Sequence, residues 1–324
     1  MHGFDQDTTT DEVLEGVDLT DRRFVVTGAS GGLGEETTRA LAARGASVAM
    51  LARDSAKNTA AADRIRAEVG DAQLSQYTVD LASLDSIRQF SDEFNEDHDA
   101  VDVLINNAGV MACPYGLTAD GFELQFGTNH LGHFLLTACL WPAIAAGDSP
   151  RVVTLSSSAH GEADVDLADP GFEATEYNPW VAYGRSKSAN ALFARELARR
   201  AGDQGVLSYS VHPGAIMTDL GRHLTDELLA EAMERFKARA EAAGESGDGG
   251  FEFKTVPAGA ATETLAAAHP DVQAPNGSYL ADCRVGELGE NVAKYGIKPH
   301  ILDDDTAAAL WVLSEEMVNQ TFAP

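Results

Sequence analysis

The sequence predicts an α/β fold, in which a parallel sheet carries helices on both faces. Short apolar runs alternate with amphipathic stretches, and no Pro/Ser-rich linker interrupts that alternation. At 324 residues the chain could hold one such domain or a small pair. Because the alternation of strands and helices continues along the chain without a break, we expect a single domain over residues 21–324. Residues 1–20 then form an acidic N-terminal extension with a short capped helix.

The first strand and helix enclose a glycine turn. The segment RFVVTGASGGLGEETTRALAARG indicates a buried strand, a turn and an amphipathic helix, with Gly28, Gly32 and Gly34 in the turn. Glycine lets the backbone approach a pyrophosphate, while the amides and dipole at the helix N-terminus receive its charge. Ser30 could add a hydroxyl contact. The pattern predicts a dinucleotide site in a Rossmann-like, doubly wound sheet, and an ordinary glycine-rich turn is the alternative.

The second strand, in ASVAMLARD, ends at Ala52, where a bound ribose would lie. A carboxylate there would bind a 2′-hydroxyl and repel a 2′-phosphate. Here Arg53 follows instead, and a guanidinium suits a phosphate far better than a neutral hydroxyl. The sequence therefore favours NADP(H) over NAD(H). Asp54 leaves an alternative open, in which Arg53 pairs with this carboxylate or lies solvated.

Two further strand ends place polar groups at the same edge. QLSQYTVDL stops at Asp80, whose carboxylate could accept from an adenine amino group or cap the helix that starts near Ser83. VDVLINNAG is an apolar run, as expected of a strand buried on both faces. It ends in the segment Asn106–Gly109, which offers side-chain amides and a glycine where the chain leaves the sheet.

Tyr183 and Lys187 are four residues apart in a predicted helix, WVAYGRSKSANALFARELARR, and therefore share a face. A nearby ammonium favours the phenolate, so we expect the pKa of Tyr183 to be lowered toward neutrality. A phenol of that kind can exchange a proton with an alcohol or carbonyl oxygen.

Together these motifs resemble the short-chain dehydrogenase/reductase family. The segments TGASGGLG, NNAG, VVTLSSSAH, YGRSK and VHPGAIMT occur in the family's order and span most of the chain. The run NHLGHFLLT and the phrases SSSAH and SVHPG are most similar to the retinol-dehydrogenase-like branch. The resemblance implies an oxidoreductase that interconverts an alcohol and a carbonyl by hydride transfer.

The resemblance also implies the roles of individual residues. Tyr183 is the general acid/base, Lys187 lowers its pKa and bonds the nicotinamide ribose, and Ser157 polarises the substrate oxygen. Asn129 holds a proton-relay water, with a local distortion of its helix. The implied cofactor contacts are Gly28, Ser30, Gly32, Leu33, Gly34, Arg53, Asp80, Leu81, Asn107, Ala108, Gly109, Tyr183, Lys187, Pro213, Gly214 and Thr218.

Two segments are expected to shape the substrate pocket. Ser157 and Tyr183 lie 26 residues apart, about twice the family's common spacing, so the insertion 160–180 should wall the pocket. Residues 219–256 read as a helix, a GESGDGG loop and FEFKTV, and we expect this segment to be a lid. The substrate should be a small, mainly apolar alcohol or carbonyl compound.

Composition bounds the remaining functions. A net charge of −28 argues against nonspecific nucleic-acid binding and indicates adaptation to high salt, because at ~1 M salt the screening length is about 3 Å. Three scattered cysteines fit a reducing cytoplasm, and no apolar run reaches the ~18 residues of a membrane span. The histidines lack metal spacing, so we expect no metal. A homo-oligomer, an NAD-preferring alcohol dehydrogenase and a non-catalytic regulator that binds NADP(H) stay open.

Overall fold

The computed structural model describes residues 3–242, 253–289, 291–292 and 295–324. Its main sheet has the strand order β3-β2-β1-β4-β5-β6-β7-β8, in which β8 is antiparallel to β7 and the other neighbours are parallel. The strands are β1 (Arg23–Thr27), β2 (Ser47–Ala52), β3 (Gln73–Thr78), β4 (Val103–Asn106), β5 (Arg151–Leu155), β6 (Leu207–His212), β7 (Tyr279–Ala281) and β8 (Arg284–Val285).

Helices cover both faces of this sheet, as the alternation in the sequence predicts. They are α1 (Thr10–Val13), α2 (Gly32–Ala42), α3 (Ser55–Val69), α4 (Leu84–Asp97), α5 (Leu124–Phe126), α6 (Gly132–Ala145), α7 (Pro179–Ala201), α8 (Asp226–Ala242), α9 (Val256–Ala268) and α10 (Asp304–Val318). The architecture is therefore the single doubly wound α/β domain expected from the sequence.

The two faces hold separate cores. Along β1, Val25 points into the core of α4, α6, α7 and α10, whereas Phe24 and Val26 point into the core of α2, α3 and α9. This alternation follows from the period of two along a strand. Full burial of each such side chain contributes about 1.5–3 kcal/mol, so both cores fix the sheet that carries the strand ends.

The N-terminal extension is packed into the domain. Helix α1 begins with the predicted capping box, formed by Thr9 and Glu12. Val13, Leu14 and Leu19 are buried in the core with α2 and α9. The residues before β1 thus form part of the structural core of the domain.

The C-terminal part agrees with the sequence in its larger elements. Asp303 caps α10 by accepting from the Thr306 amide at 2.7 Å, and the predicted last strand is β7. Short strands β9 (Glu287–Leu288) and β10 (Gly296–Ile297) were not expected from the sequence. The predicted GESGDGG loop lies outside the described residues. In the described part of the chain, no helix is both long and apolar enough to cross a bilayer.

Candidate active site

From β1 the chain adds β2 and β3 on one side and then returns to β4 on the other side, so the strand order reverses between β1 and β4. In a doubly wound sheet, such a switch point opens a crevice at the carboxyl ends of the strands, where ligands bind. The glycine turn follows β1 there, and the segment Asn107–Gly109 follows β4. The sheet therefore brings the predicted dinucleotide motifs to one place.

The backbone of the glycine turn packs so closely against its neighbours that two of its glycines have no space for a side chain. A Cβ on Gly34 would lie 2.5 Å from the Gly28 carbonyl oxygen and from Asn107 Nδ2. A Cβ on Gly28, whose φ is +68°, would lie 3.0 Å from Ala108 Cα. The cap of α2 is Gly31, which has no side chain to accept from the first helical amides. Those amides are suited to a pyrophosphate, so the residues present fit a dinucleotide.

The segment after β4 is fastened to β1 through Thr27. The amides of Asn107 and Ala108 each donate to Thr27 Oγ1 at 2.9 Å, and Asn107 Nδ2 donates to the Thr27 carbonyl at 2.7 Å. These bonds fix the floor beside the glycine turn. Sequence reasoning gave Asn107 a cofactor contact and did not predict this structural role.

Arg53 follows β2 and is exposed at the same edge. The Asp54 carboxylate caps α3 by accepting from the Lys57 amide at 3.0 Å. Among the described residues no ion pair joins Arg53 to Asp54, and the exposure of Arg53 agrees with the alternative in which it lies solvated. Burial lowers the pKa of His223, and the charges of Arg222 and Arg53 add to this, so the 219–223 segment and Arg53 lie within electrostatic reach.

Asp80 and Leu81 follow β3. The cap of α4 is Ser83, whose hydroxyl accepts from the Ser86 amide, so the alternative in which Asp80 caps this helix is wrong. One oxygen of Asp80 accepts from the Ala82 amide at 3.0 Å instead. Leu81 is buried against α6.

Tyr183 and Lys187 share a face of α7, as their spacing predicts. Lys187 Nζ lies 5.6 Å from the centroid of the Tyr183 ring and donates to the Leu155 carbonyl at 2.9 Å. Both side chains are buried. The sequence expectation for the Tyr183 pKa is wrong for this state of the protein: burial raises that pKa to about 12, and a hydrogen bond from Ser157 opposes the rise. Burial also lowers the pKa of Lys187 to about 7, which weakens the ammonium that was expected to favour the phenolate.

Three consecutive serines follow β5, and their environments distinguish them. Ser156 Oγ donates to the Lys187 carbonyl at 2.7 Å, and the Ser158 amide donates to His212 Nδ1 at 3.2 Å. Ser157 lies close enough to Tyr183 for its hydroxyl to lower the Tyr183 pKa, and its Oγ accepts from the Ala159 amide at 3.2 Å. Strand β5 ends at Leu155, so all three serines lie in the turn that follows it.

His160 supports this turn and was missed by sequence reasoning. Its Nδ1 lies 2.7 Å from the Ser157 carbonyl, and its Nε2 accepts from the Lys298 amide at 3.3 Å. The second bond requires the proton on Nδ1, so the ring donates to Ser157. The motif SSSAH contains this histidine, and its proximity to Ser157 in the chain was the available signal.

Asn129 lies in a π-helical segment, Gly127–Leu131, between α5 and α6. The resemblance implied such a distortion. Its Oδ1 accepts from the Val110 amide at 2.8 Å, and its Nδ2 donates to the Val110 carbonyl and to Ser186 Oγ, each at 2.9 Å. A Cβ on Gly109 would lie 3.1 Å from Asn129 Oδ1 and 3.7 Å from Lys187 Nζ. These contacts bring the β4 end, the π-helix and α7 together.

The segment after β6 returns to the glycine turn. Gly214, with φ +96°, lies under Lys254, whose Cδ would be 2.8 Å from an added Cβ. Lys254 Nζ donates to Asp282 at 2.5 Å, a contact that the sequence did not predict. Thr218 Cγ2 would lie 3.3 Å from a Cβ on Gly32. Pro213, Gly214 and Thr218 thus approach the site from the side opposite β2.

The insertion is tied to the region before the π-helix. Tyr177 donates to the Cys113 carbonyl at 2.8 Å and accepts from Gln125 Nε2 at 2.9 Å. Beside it lies a small apolar cluster composed of Ala112, Ala159, Trp180, Tyr183 and Ala232, with Met111, Leu224 and Leu228 against it. One side of Tyr183 therefore faces apolar groups from the insertion and from α8.

The histidines of NHLGH are structural. His130 Nε2 pairs with Ser314 Oγ at 2.8 Å, and His133 Nε2 pairs with Thr27 Oγ1 at 2.9 Å. Burial lowers their pKa values to about 3 and about 4. Among the described residues, no cluster of histidine, cysteine and acidic side chains could hold a metal ion.

Comparison with known proteins agrees with this geometry. The family model for short chain dehydrogenase matches residues 22–229. The chain is 40% identical to retinol dehydrogenase 14 of Mus musculus over 307 residues, which cover 92% of this chain and 86% of that protein. A crystal structure from Mycobacterium paratuberculosis superposes with a TM-score of 0.70 at 36% identity, covering 94% of this chain and 96% of the other.

A further structure, from Beutenbergia cavernae, is described as an NAD(P)-dependent gluconate 5-dehydrogenase with bound NADP. It has a TM-score of 0.61 and 25% identity, covering 81% of this chain and 95% of that one. Fold, site and similarity together define a nicotinamide-dependent oxidoreductase that acts on CH–OH groups. The chain belongs to the short-chain dehydrogenase family, in its retinol-dehydrogenase-like branch.

Proposed function

We propose that this protein is an NADP(H)-dependent oxidoreductase that interconverts a small, mainly apolar alcohol and its carbonyl, with Tyr183 as general acid/base. The observation that carries this proposal is the meeting of Tyr183, Ser157 and Lys187 beside the glycine turn. A protein that only sensed the cofactor would need the glycines and not a buried proton-transfer group.

The proton chemistry follows from the side chains. When bound, NADPH supplies the hydride that reaches the carbonyl carbon. Tyr183 then donates its phenolic proton to the developing alkoxide. Ser157 stabilises the negative charge on the same oxygen. The Ala159 amide donates to Ser157 Oγ, so the Ser157 hydroxyl hydrogen is the group that can turn from Tyr183 to the substrate oxygen. Oxidation reverses these steps.

Lys187 is suited to restore the proton of Tyr183. With a pKa of about 7, its side chain can lose a proton as the ammonium and regain one as the amine near neutral pH. Its fixed bond to the Leu155 carbonyl holds Nζ beside the phenol ring. We assign to Asn129 the water that links Lys187 to solvent, because the Asn129 side chain and Nζ lie on the same side of Gly109, each within 4 Å of the position of an added Cβ.

The preference for NADP(H) rests on the positive groups at the end of β2. Arg53 is exposed, and the Asp54 carboxylate beside it caps α3. The charges of Arg53 and Arg222 both lower the pKa of His223, so the two guanidinium groups lie near the same ring. Two guanidinium groups form stronger, charge-assisted hydrogen bonds with a 2′-phosphate than with a neutral ribose hydroxyl. The bound NADP in the Beutenbergia structure is a parallel from a distant relative.

The apolar substrate class rests on the cluster beside Tyr183, and the 219–256 segment is the proposed lid over it. We also propose that the enzyme works in the cytoplasm of a salt-adapted cell. Cys113, Cys139 and Cys283 are free thiols, and the net charge is −28. Screening by molar salt would relieve the repulsion among surface carboxylates.

The test is a screen of aldehydes, ketones and alcohols in molar KCl with each cofactor, followed by nicotinamide absorbance. We expect turnover of apolar substrates with NADPH or NADP⁺. Arg53→Ala should lower kcat/KM for NADPH by roughly 10-fold to 100-fold and leave that for NADH nearly unchanged. Arg66→Ala, near the far end of α3, is the matched control and should change neither.

Two results would count against the proposal. Equal losses with NADPH and NADH in Arg53→Ala would point to an NAD-preferring enzyme or a structural role of Arg53. Tight NADPH binding without turnover of any compound in the screen would favour the regulator.

A further inference from the structure

A second cavity lies at the opposite edge of the sheet, where β1 and β5 begin. Its volume is about 320 Å³, and its lining includes Arg22, Phe24 and Arg151 from the strand starts. The end of α9 and the loop 15–19 close its other sides. Because this edge is remote from the carboxyl ends of the strands, the cavity is separate from the proposed active site.

Arg151 is the most enclosed charged group of this cavity. It is 8% exposed, and its Nη1 donates to the carbonyls of Ala266 and His269, at 3.0 and 2.9 Å. Ala266 lies in the last turn of α9 and His269 directly follows the helix, so the negative end of that helix partly offsets the guanidinium charge. Its buried Nε has no partner among the described residues. A guanidinium has five donors in a planar fork, and the edge that does not meet α9 is left for a ligand.

Arg22 adds a second cation beside the first. Its Nε lies 3.4 Å from Asp102 Oδ2, and that carboxylate also accepts from the amides of Arg23 and Asp148 at 2.6 and 2.7 Å. Asp102 is therefore shared among several donors. Burial lowers the pKa of Arg151, and the charge of Arg22 adds to the lowering, so the two guanidinium groups repel each other.

Acidic residues also line the cavity, at its exposed rim. Glu15 and Asp18 are exposed, and Asp18 Oδ1 accepts from the Thr20 amide and hydroxyl, at 3.0 and 2.7 Å. Among the described residues, no carboxylate forms an ion pair with Arg151. The cationic part of the cavity is thus its buried floor, and the acidic part faces solvent.

We propose that this cavity is a binding site for a small oxyanion, a phosphate, sulfate or carboxylate group held between Arg22 and Arg151. Arginine binds such groups through two parallel N–H···O bonds, and a bound anion would supply the partner that the buried Arg151 lacks. The N-terminal extension would then have a role, because its residues 15–19 form one wall.

The experiment combines solution binding with location. Calorimetric titration with potassium sulfate, at ionic strength held constant with KCl, measures affinity for the wild type and for Arg22→Gln, Arg151→Gln and Arg66→Gln. Crystals soaked in selenate then locate the anion by anomalous scattering, which separates this cavity from the glycine turn. Circular dichroism checks that each variant is folded.

We expect selenate between Arg22 and Arg151. Sulfate should bind at least about 10-fold more weakly to Arg22→Gln and Arg151→Gln, because each loses a charge-assisted pair. Arg66→Gln should bind like the wild type. Arg151→Gln removes a cap of α9 and could fail to fold, in which case Arg22→Gln decides alone. Sulfate binding that Arg22→Gln leaves unchanged, or selenate only at the glycine turn or only at the crystal surface, would overturn the proposal.

Discussion

Around the glycine turn, backbone atoms pack directly against each other, so an added Cβ on Gly34 would come within 2.5 Å of the Gly28 carbonyl oxygen. On the other side of Tyr183, the neighbours are apolar side chains from loops and from α8, such as Ala112, Leu224 and Ala232. On the cofactor side, Gly28 and Gly34 have no space for a side chain, whereas we expect the substrate side to accept different side chains. Under the proposed function, cofactor binding and chemistry depend on these strand ends, and we expect substrate choice to depend on the loops.

The largest effect on cofactor affinity should come from a change in the rigid glycine turn. In Gly34→Ala, the new methyl group would overlap Asn107 Nδ2 and the Gly28 carbonyl, so the turn must open. We expect cofactor affinity, measured by nicotinamide fluorescence, to fall by at least about 100-fold, since strain and lost phosphate contacts add. Gly31→Ala is the control, because nothing lies within 4 Å of its Cβ and its φ of 176° suits any residue. Equal effects of the two changes would contradict this account of the turn.

Glu263 offers a second test of the rigid side, through pH. It is fully buried in α9, it accepts from Thr37 of α2, and burial raises its pKa to about 7. Since the folded pKa exceeds the unfolded value of 4.5, its contribution is fully present below pH 4.5 and is lost as pH rises through 7. The loss should be on the order of 3 kcal/mol in the free energy of unfolding.

The measurement is urea unfolding of the wild type and Glu263→Gln between pH 4.5 and 8.5. The difference between the two proteins should shift in favour of the variant as pH rises, because glutamine stays neutral. A difference that does not change with pH would show that Glu263 does not titrate in this range.

A smaller effect, confined to the substrate side, is expected for Tyr177→Phe. The change removes the bonds to the Cys113 carbonyl and Gln125, each worth about 0.5–1.5 kcal/mol, and loosens the insertion. KM for an apolar substrate should rise by roughly 3-fold to 10-fold, with cofactor affinity unchanged. Tyr115→Phe, whose ring is 51% exposed, serves as the control. A fall in cofactor affinity would show that the two sides are not independent.

Prediction from the sequence succeeded where the signal is local. The strand, turn and helix around Gly28–Gly34, the shared face of Tyr183 and Lys187, and the caps of α1 and α10 each depend on a few neighbouring residues. A period of two or of 3.6 is readable without knowledge of the fold.

Features that depend on distant residues were missed. The raised pKa of Tyr183 arises from burial under the insertion and α8, and the sequence shows only its near neighbour Lys187. Likewise, the bonds of Asn107 to Thr27 join residues that are 80 positions apart. The contact of Lys254 with Gly214 depends on how the proposed lid segment returns to β6.

The most direct test of the account is kcat for Tyr183→Phe, measured with the best substrate of the screen and at saturating cofactor. This change removes the hydroxyl and keeps the buried ring, so cofactor affinity and fold should persist. We predict a fall in kcat on the order of 10²-fold to 10⁴-fold, the usual contribution of a positioned general acid/base. Turnover equal to that of the wild type would contradict the assignment of Tyr183 and the mechanism built on it.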